Sequence, residues 1–500
     1  MSAMKRMVDL VHRGPEDNTF YPIASNDTIF QRKWPPHHNV VTEIVEIGHL
    51  GNAGWGSRIT IPLRHKDTGD LLQWLCLRIK PRAWLGVDLE EKLRCGHWDY
   101  ADPSGAWMWA ASLGTVAIAK MEFEIGDTLI EQWSGDWMDV WSRAWMDASR
   151  AGTWDTDVYG QASPLVMRDT AREPWTTVQP TEDGYVYCWL PLAFLRRPET
   201  AFPLLTVGDQ QEIRVHVTFR PFADVVRRRA RVRVNQAEVP LGEQITVLDK
   251  TGLTPVPWIY TLPTTVPAFE EFTVLAGVVQ MEDPLRAAYL KQPLEMMYEV
   301  VTHSVFDLPK PLEAYRGAGA LVNMNLPLKD LNGPIRELCW FIRRKKVWQN
   351  NEWTNYGTLM EEVLVNTVDT TAVDPAARLT VYQVPLLRSA RLWVDNAVWR
   401  DEAEEWWRAE YGLAHRGGVR LTSGMVYGFV LGDAAGWSAE NLQPAGTINA
   451  SRADLRLELA IQPPPFDEDP TTAGWEVHVF GIGLNWLRFN SGMAVPLFKD

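Results

Sequence analysis

The sequence is poor in the residues that carry most protein chemistry. Cysteine occurs four times in 500 residues, at Cys76, Cys95, Cys188 and Cys339. No C-x-x-C pair is present, and the spacing is too wide for a zinc site. Such sparse use fits free buried thiols in a reducing compartment. Cys95-Gly96-His97 is half a metal site without a second half, so it reads as loop. The ten histidines are scattered, with no Ser-His-Asp order, no G-x-S-x-G and no H-E-x-x-H. The glycine-rich run Gly48–Gly56 lacks the G-K-[ST] ending of a phosphate loop and opens no helix, so it reads as a connection between strands. Positive charge is also short: 49 basic residues face 63 acidic ones, a net charge of -14. No basic face for direct nucleic-acid binding follows from that balance. The five arginines in Arg227–Val234 read as a solvated or subunit-facing connection. No stretch reaches the roughly 18 apolar residues of a membrane span, and Met1–Leu10 has no apolar run of a signal peptide. The expectation is synthesis and assembly in the cytosol, with no cofactor and no metal. The sequons at Asn26 and Asn449 then read as chance matches.

What is abundant is apolar and aromatic. Hydrophobic residues make up 46% of the chain and Trp alone occurs 25 times, enough for large cores. Period-two alternation recurs. Ile59, Ile61 and Leu63 share one face; so do Met121, Phe123 and Ile125; so do Ile213, Val215, Val217 and Phe219. Leu455, Leu457, Leu459 and Ile461 do the same, with Arg456 and Glu458 opposite. Each run predicts a strand with one buried face. Helical periods are few. Ser134–Ala148 carries Trp137, Met138, Trp141, Ala144 and Trp145 on one stripe, with Ser134 as a candidate N-cap. Asp401–Tyr411 is a second, with Trp406 and Trp407 against an acidic face. Many short strands and few helices predict an all-β chain. Its length requires more than one domain. Pro221 and the arginine run suggest the boundary: a first unit over residues 31–222, a linker over 223–240 and a second unit over 241–500. The two halves show no strong identity to each other.

Carboxylates are plentiful, as at Asp136 and Asp139 or in "DEAEEWW" (Asp401–Trp407). A Trp-rich β-sandwich that binds carbohydrate, or a glycosidase with two acids flanking the sugar, is therefore the alternative function. Solvation on polar faces explains the same acids, and the expected class is not an enzyme.

The stretch "LQPAGTINASRADL" (Leu442–Leu455) resembles a signature of the major capsid proteins of large icosahedral DNA viruses of eukaryotes. There a Q-P-S-G-T, an Asn, a Ser-Arg and an acidic residue precede a late strand. Gln443, Pro444, Gly446, Thr447, Asn449, Ser451, Arg452 and Asp454 match, and Ala445 replaces the usual Ser. Further segments resemble the family in its own order: Leu10–Asn39, Met121–Trp141, Trp189–Phe219, Val322–Ile342 and Leu484–Phe498. The resemblance implies two tandem eight-stranded jelly-roll sandwiches with a few short helices in loops. It implies a homotrimer with a nearly hexagonal outline that tiles the facets of an icosahedral virion beside neighbouring capsomers. Residues 1–30 would form an arm at the capsomer base, reaching minor capsid proteins under the shell and, indirectly, an internal membrane. Asn449, Ser451, Arg452 and Asp454 would tie the late loop to its neighbours. The assembly candidates are Trp34 in the arm, Trp137, Trp141 and Trp145 on the helix, and Arg452 and Asp454 in the loop. For the helix, an intramolecular core and a subunit contact are both open.

Overall fold

The computed structural model describes residues 39–82, 107–110, 112–144, 184–194, 201–208, 211–228, 266–291, 293–308, 321–345, 351, 353–357, 385–414, 425–431, 446–462 and 475–498. It also describes strand pieces at 231–234, 237–238, 244–248, 255–259, 362–365, 372–373 and 378–380. Trp34, Trp145, Cys95 and the arm of residues 1–30 lie outside these.

Eight strands make the first sandwich: β1 (Val40–Ile47), β2 (Arg58–Leu63), β3 (Leu71–Pro81), β4 (Ile118–Ile125), β5 (Thr128–Trp133), β6 (Val186–Trp189), β7 (Ile213–Phe219) and β8 (Phe269–Met281). They form two antiparallel sheets, ordered β1-β8-β3-β6 and β2-β7-β4-β5. Eight more make the second: β9 (Leu294–Asp307), β10 (Val322–Pro327), β11 (Pro334–Arg344), β12 (Leu387–Val394), β13 (Ala397–Ala403), β14 (Val426–Val430), β15 (Leu455–Ile461) and β16 (Trp475–Asn490). Their main sheets run β9-β16-β11-β14 and β10-β15-β12-β13. The second order is the first with eight added to every strand. That interleaving of first with last strands is the jelly roll, here built twice.

The alternation read from the sequence is the alternation of burial. Ile59, Ile61 and Leu63 on β2, Met121, Phe123 and Ile125 on β4, and Ile213, Val215, Val217 and Phe219 on β7 are all buried. On β15 Leu455, Leu457, Leu459 and Ile461 are buried while the residues between them are half exposed. The Gly48–Gly56 run is the β1–β2 connection, without regular structure beyond one bridge residue at Leu50.

Two expectations shift. β8 lies inside the range assigned to the second unit, yet it pairs with β1 on one side and β3 on the other. Residues 223–240 belong to the long connection between β7 and β8, so strand pairing divides the chain after Met281, at helix α2 (Asp283–Lys291). Proline and arginine punctuate a connection equally well inside a sandwich or between two, so the sequence does not separate these cases. The second helix begins late: Asp401 pairs with Arg391 across β13 and β12, and α3 runs Glu404–Ala414. Sheet pairing there outweighs the helix-forming tendency of Asp-Glu-Ala.

Candidate functional site

The late loop is a stitch between strands. Gly446 adopts φ +78°, a turn conformation that glycine accepts without strain. Asn449 pairs with Pro334 at the start of β11. Its side-chain Oδ1 accepts the Ser451 N–H (3.1 Å), and its carbonyl accepts the N–H groups of Arg452 and Ala453 (3.0 Å each). Ser451 Oγ accepts the Gly333 N–H at 2.9 Å, and Gly333 O accepts that of Ala450 at 2.8 Å. The Asp454 N–H donates to Asp395 Oδ1 (3.0 Å) and the Asp395 N–H returns a bond to Asp454 O (2.8 Å). The loop thus ties the β10–β11 connection to the β12–β13 hairpin, as the resemblance implies. Arg452 takes part through its backbone while its side chain is exposed, and Asp454 is exposed as well.

The tryptophan helix, α1 (Gly135–Ala144), sits between the two sandwiches. The Trp137 and Met138 N–H groups bond to Ser134 O, so Ser134 is the backbone N-cap, but its Oγ makes no capping bond. Gly135 is required by close approach: a Cβ there would stand 2.2 Å from Thr115 O and 2.5 Å from Ile118 O. Trp137 is fully buried and its ring packs on Phe480 of β16 (5.5 Å between centroids). Of the two readings open for the helix, Trp137 follows the intramolecular one. Trp141 is half-buried against the same core.

Beside Trp137 runs a buried ion pair that spans the two sandwiches. Arg343 of β11 donates to both Asp136 oxygens, at 2.7 and 3.2 Å, and to Trp353 O at 3.1 Å. Burial alone would raise the Asp136 carboxyl. The guanidinium of Arg343, helped by Arg220, more than offsets this and holds it well below the usual carboxylate range. Asp139, one turn on, accepts the Tyr356 hydroxyl at 2.5 Å. Arg343 also lies 3.5 Å from Glu476 and 3.2 Å from His478 Nε2. His478 contacts Glu476 (2.7 Å) and His303 (2.9 Å). Nearby, Arg220 stacks over the Trp353 ring (3.7 Å), Trp353 Nε1 donates to Asp224 O (2.8 Å), and Asn351 Nδ2 donates to Ala223 O and Val226 O. At the far end of the junction Gln211 exchanges two bonds with the Ala494 backbone, and Phe202 packs on Phe489.

These contacts engage several of the acids singled out in the sequence. Asp136 and Asp139 face Arg343 and Tyr356, Asp401 bonds Arg391 at 2.8 Å, and Glu404 pairs with Arg408 at 3.0 Å. Between β5 and β9 lies a cleft of about 720 Å³, lined among others by Lys120, Glu131, Ser134, Thr302, His303 and Phe498. Among the described residues no cluster of metal-ligating side chains occurs and no helix is long and apolar enough to cross a membrane. The junction was not legible in the sequence: Asp136 and Arg343 are 207 positions apart, and the Met121–Trp141 segment that holds Asp136 does not point to Arg343.

Residues 28–249 match the family described as major capsid protein N-terminus. No curated protein matches the sequence. Solved structures share the fold over nearly the whole chain. A chain of the PBCV-1 virus capsid is 14% identical, covering 95% of this chain and 100% of its own length, with a TM-score of 0.63. The Faustovirus major capsid protein is 10% identical over 97% of both chains, TM-score 0.63. A chain of the Sputnik virophage is 10% identical over 97% of this chain and 92% of that one, TM-score 0.53.

Proposed function

We propose that this chain, whose residues 28–249 match the major capsid protein N-terminal family, is a structural, non-enzymatic subunit of an icosahedral virion. Three copies close into a capsomer, and capsomers tile the facets. The observation that carries this reading is the duplicated strand order on one chain. A sandwich repeated twice, in three copies around a closed axis, makes six similar columns, and a three-fold ring gains a nearly hexagonal outline. The first module extends to Met281 and the second starts at Leu294, with the arm before residue 31 at the capsomer base. Neighbouring capsomers meet its flanks; minor capsid proteins, and through them an internal membrane, lie beneath. The protein is made in the host cytoplasm and makes no direct contact with nucleic acid. Exposed Arg452 and Asp454 and half-buried Trp141 keep surface for contacts between copies; Trp137 does not.

Sedimentation equilibrium of the purified chain tests the reading. The expected mass is three times the 56.9 kDa subunit, with a six-sided outline in negative-stain images. A strictly monomeric species at the concentrations of capsid assembly overturns it.

A further inference from the structure

The polar cluster of the junction meets the cleft at His303. This side chain, on β9, is exposed to the cleft on one flank and stacks on Phe480 on the other, with ring centroids 4.2 Å apart and planes 8° from parallel. Its Nε2 lies 2.9 Å from His478 Nδ1. His478 Nε2 lies 2.7 Å from Glu476 Oε1. With both imidazoles neutral, the His303 Nε2–H donates to His478 Nδ1 and the His478 Nε2–H donates to Glu476. That arrangement uses both protons; Arg343 Nη2, 3.2 Å from the same Nε2, then meets it donor to donor while Arg343 holds Asp136. The elements around the pair supply the other charges. Arg343 comes from β11, Asp136 from α1, Glu476 from β16 and Arg220 from the end of β7. Lys120 and Glu131 line the cleft wall, and Tyr356 stacks on Phe341, itself stacked on His478. A third proton has no acceptor within the cluster itself; on His303 it faces the cleft. Placed on His478 Nδ1 it sets two N–H groups face to face. On either ring it adds a cation close to a guanidinium that cannot lose its own charge.

We propose that this chain of groups is an acid-sensitive latch between the two sandwiches. Protons entering from the cleft charge the His303–His478 pair, set a second cation beside Arg343 and loosen its hold on Asp136 of α1.

The electrostatics agree in sign. Burial of the flank against Phe480 first, and the neighbouring His478 second, push His303 down to about 4, although its other flank is open to the cleft. Burial first also lowers His478, against the pull of Glu476 and with the push of Arg343. A histidine whose folded pKa lies below its unfolded one binds fewer protons when folded, so stability falls as pH drops from about 6.5 toward 4. Asp136, held well below its ordinary range, keeps its charge through that window, so the histidines respond before the ion pair does.

The latch rests on the junction alone, not on assembly. Amide hydrogen exchange on the full-length protein tests it, comparing α1 with β15, which lies away from the junction. Between pH 7 and 4.5 the protection factors of α1 are expected to fall at least about tenfold, with those of β15 unchanged. In His303→Gln/His478→Gln the fall should vanish. PH-independent protection of α1, or an equal fall in the double variant, overturns the latch. Should the double variant not fold, imidazole titration of the native protein by NMR decides: either ring titrating at its ordinary value near 6.5 also overturns it.

Discussion

Removing one partner of the Asp136–Arg343 pair should cost far more than removing both. The two side chains are 11% and 5% exposed, so solvent does little to screen a charge left alone. Breaking such a buried pair costs about 3–5 kcal/mol, because the surviving charge stays desolvated. Asp136→Ala leaves Arg343 with Trp353 O and a longer contact to Glu476, which places it at the lower end. Arg343→Met leaves the Asp136 carboxylate without its two hydrogen bonds, supported by the more distant Arg220 and, less, by His478, which places it higher. In Asp136→Ala/Arg343→Met no charge of the pair is stranded. The apolar replacement near Trp137 and Phe341 should bring stability back to within about 2 kcal/mol of the wild type. The coupling energy of the cycle should therefore be about 4 kcal/mol or more. Urea unfolding followed by tryptophan fluorescence reads it, since Trp137 and Trp353 flank the pair. If the sandwiches begin to unfold separately in the single variants, the transition splits, and the separation itself measures the lost coupling. Single variants costing less than about 1 kcal/mol each, with additive effects in the double, would refute the view that the pair locks the junction.

Trp137→Ala should cost about 3–5 kcal/mol, as expected for a large side chain removed from a full core, and half-buried Trp141→Ala clearly less; thermal denaturation of the two orders them. Gly135→Ala should destabilise by at least about 1–3 kcal/mol, since two backbone carbonyls must move to admit one methyl group; the shift in unfolding midpoint measures it. Thiol labelling should find Cys76, Cys188 and Cys339 inert until the protein unfolds. All three are buried, and burial raises their thiols, Cys188 to about 12. Fast reaction of more than one thiol per native chain would contradict that.

Part of the strand content was legible because a sandwich strand with one wet face writes its orientation into the sequence. β2, β4, β7 and β15 show it residue by residue. β16 does not, because it is buried on both faces along most of its length. One face looks into the second sandwich with Val477 and Val479, and the other packs His478 and Phe480 toward α1. A strand covered twice loses the alternation that announces it. The late loop was legible as a motif, and its role followed from short-range bonds between Asn449, Ser451 and Asp454 and nearby turns. The junction was not, because its partners are brought together by the packing of one sandwich on the other. The stripe on α1 was visible, but a period of 3.6 says only that Trp137 is covered, not which surface covers it. The place of β8 was hidden for a related reason: it returns to its sheet after a connection running from Arg220 to Ala268, so proximity in sequence misdirects.

In the proposed trimer the junction bears on assembly as well as on folding. Each sandwich has its own complete strand order, and their buried residues run together into one core. What neither fixes alone is the angle between them. That angle is set by α1 against Phe480, by Arg343 on Asp136, and by Asn351 and Trp353 reaching back to carbonyls of the β7–β8 connection. A flexible tether would let the two columns of one subunit turn independently, and three subunits would no longer present six equally spaced sides. On this argument substitutions at the junction divide from substitutions inside a sandwich. Arg343→Met should leave the β-sheet circular dichroism near that of the wild type while reducing the yield of six-sided particles. A particle yield that falls only in step with the loss of sheet signal would show that the angle needs no lock.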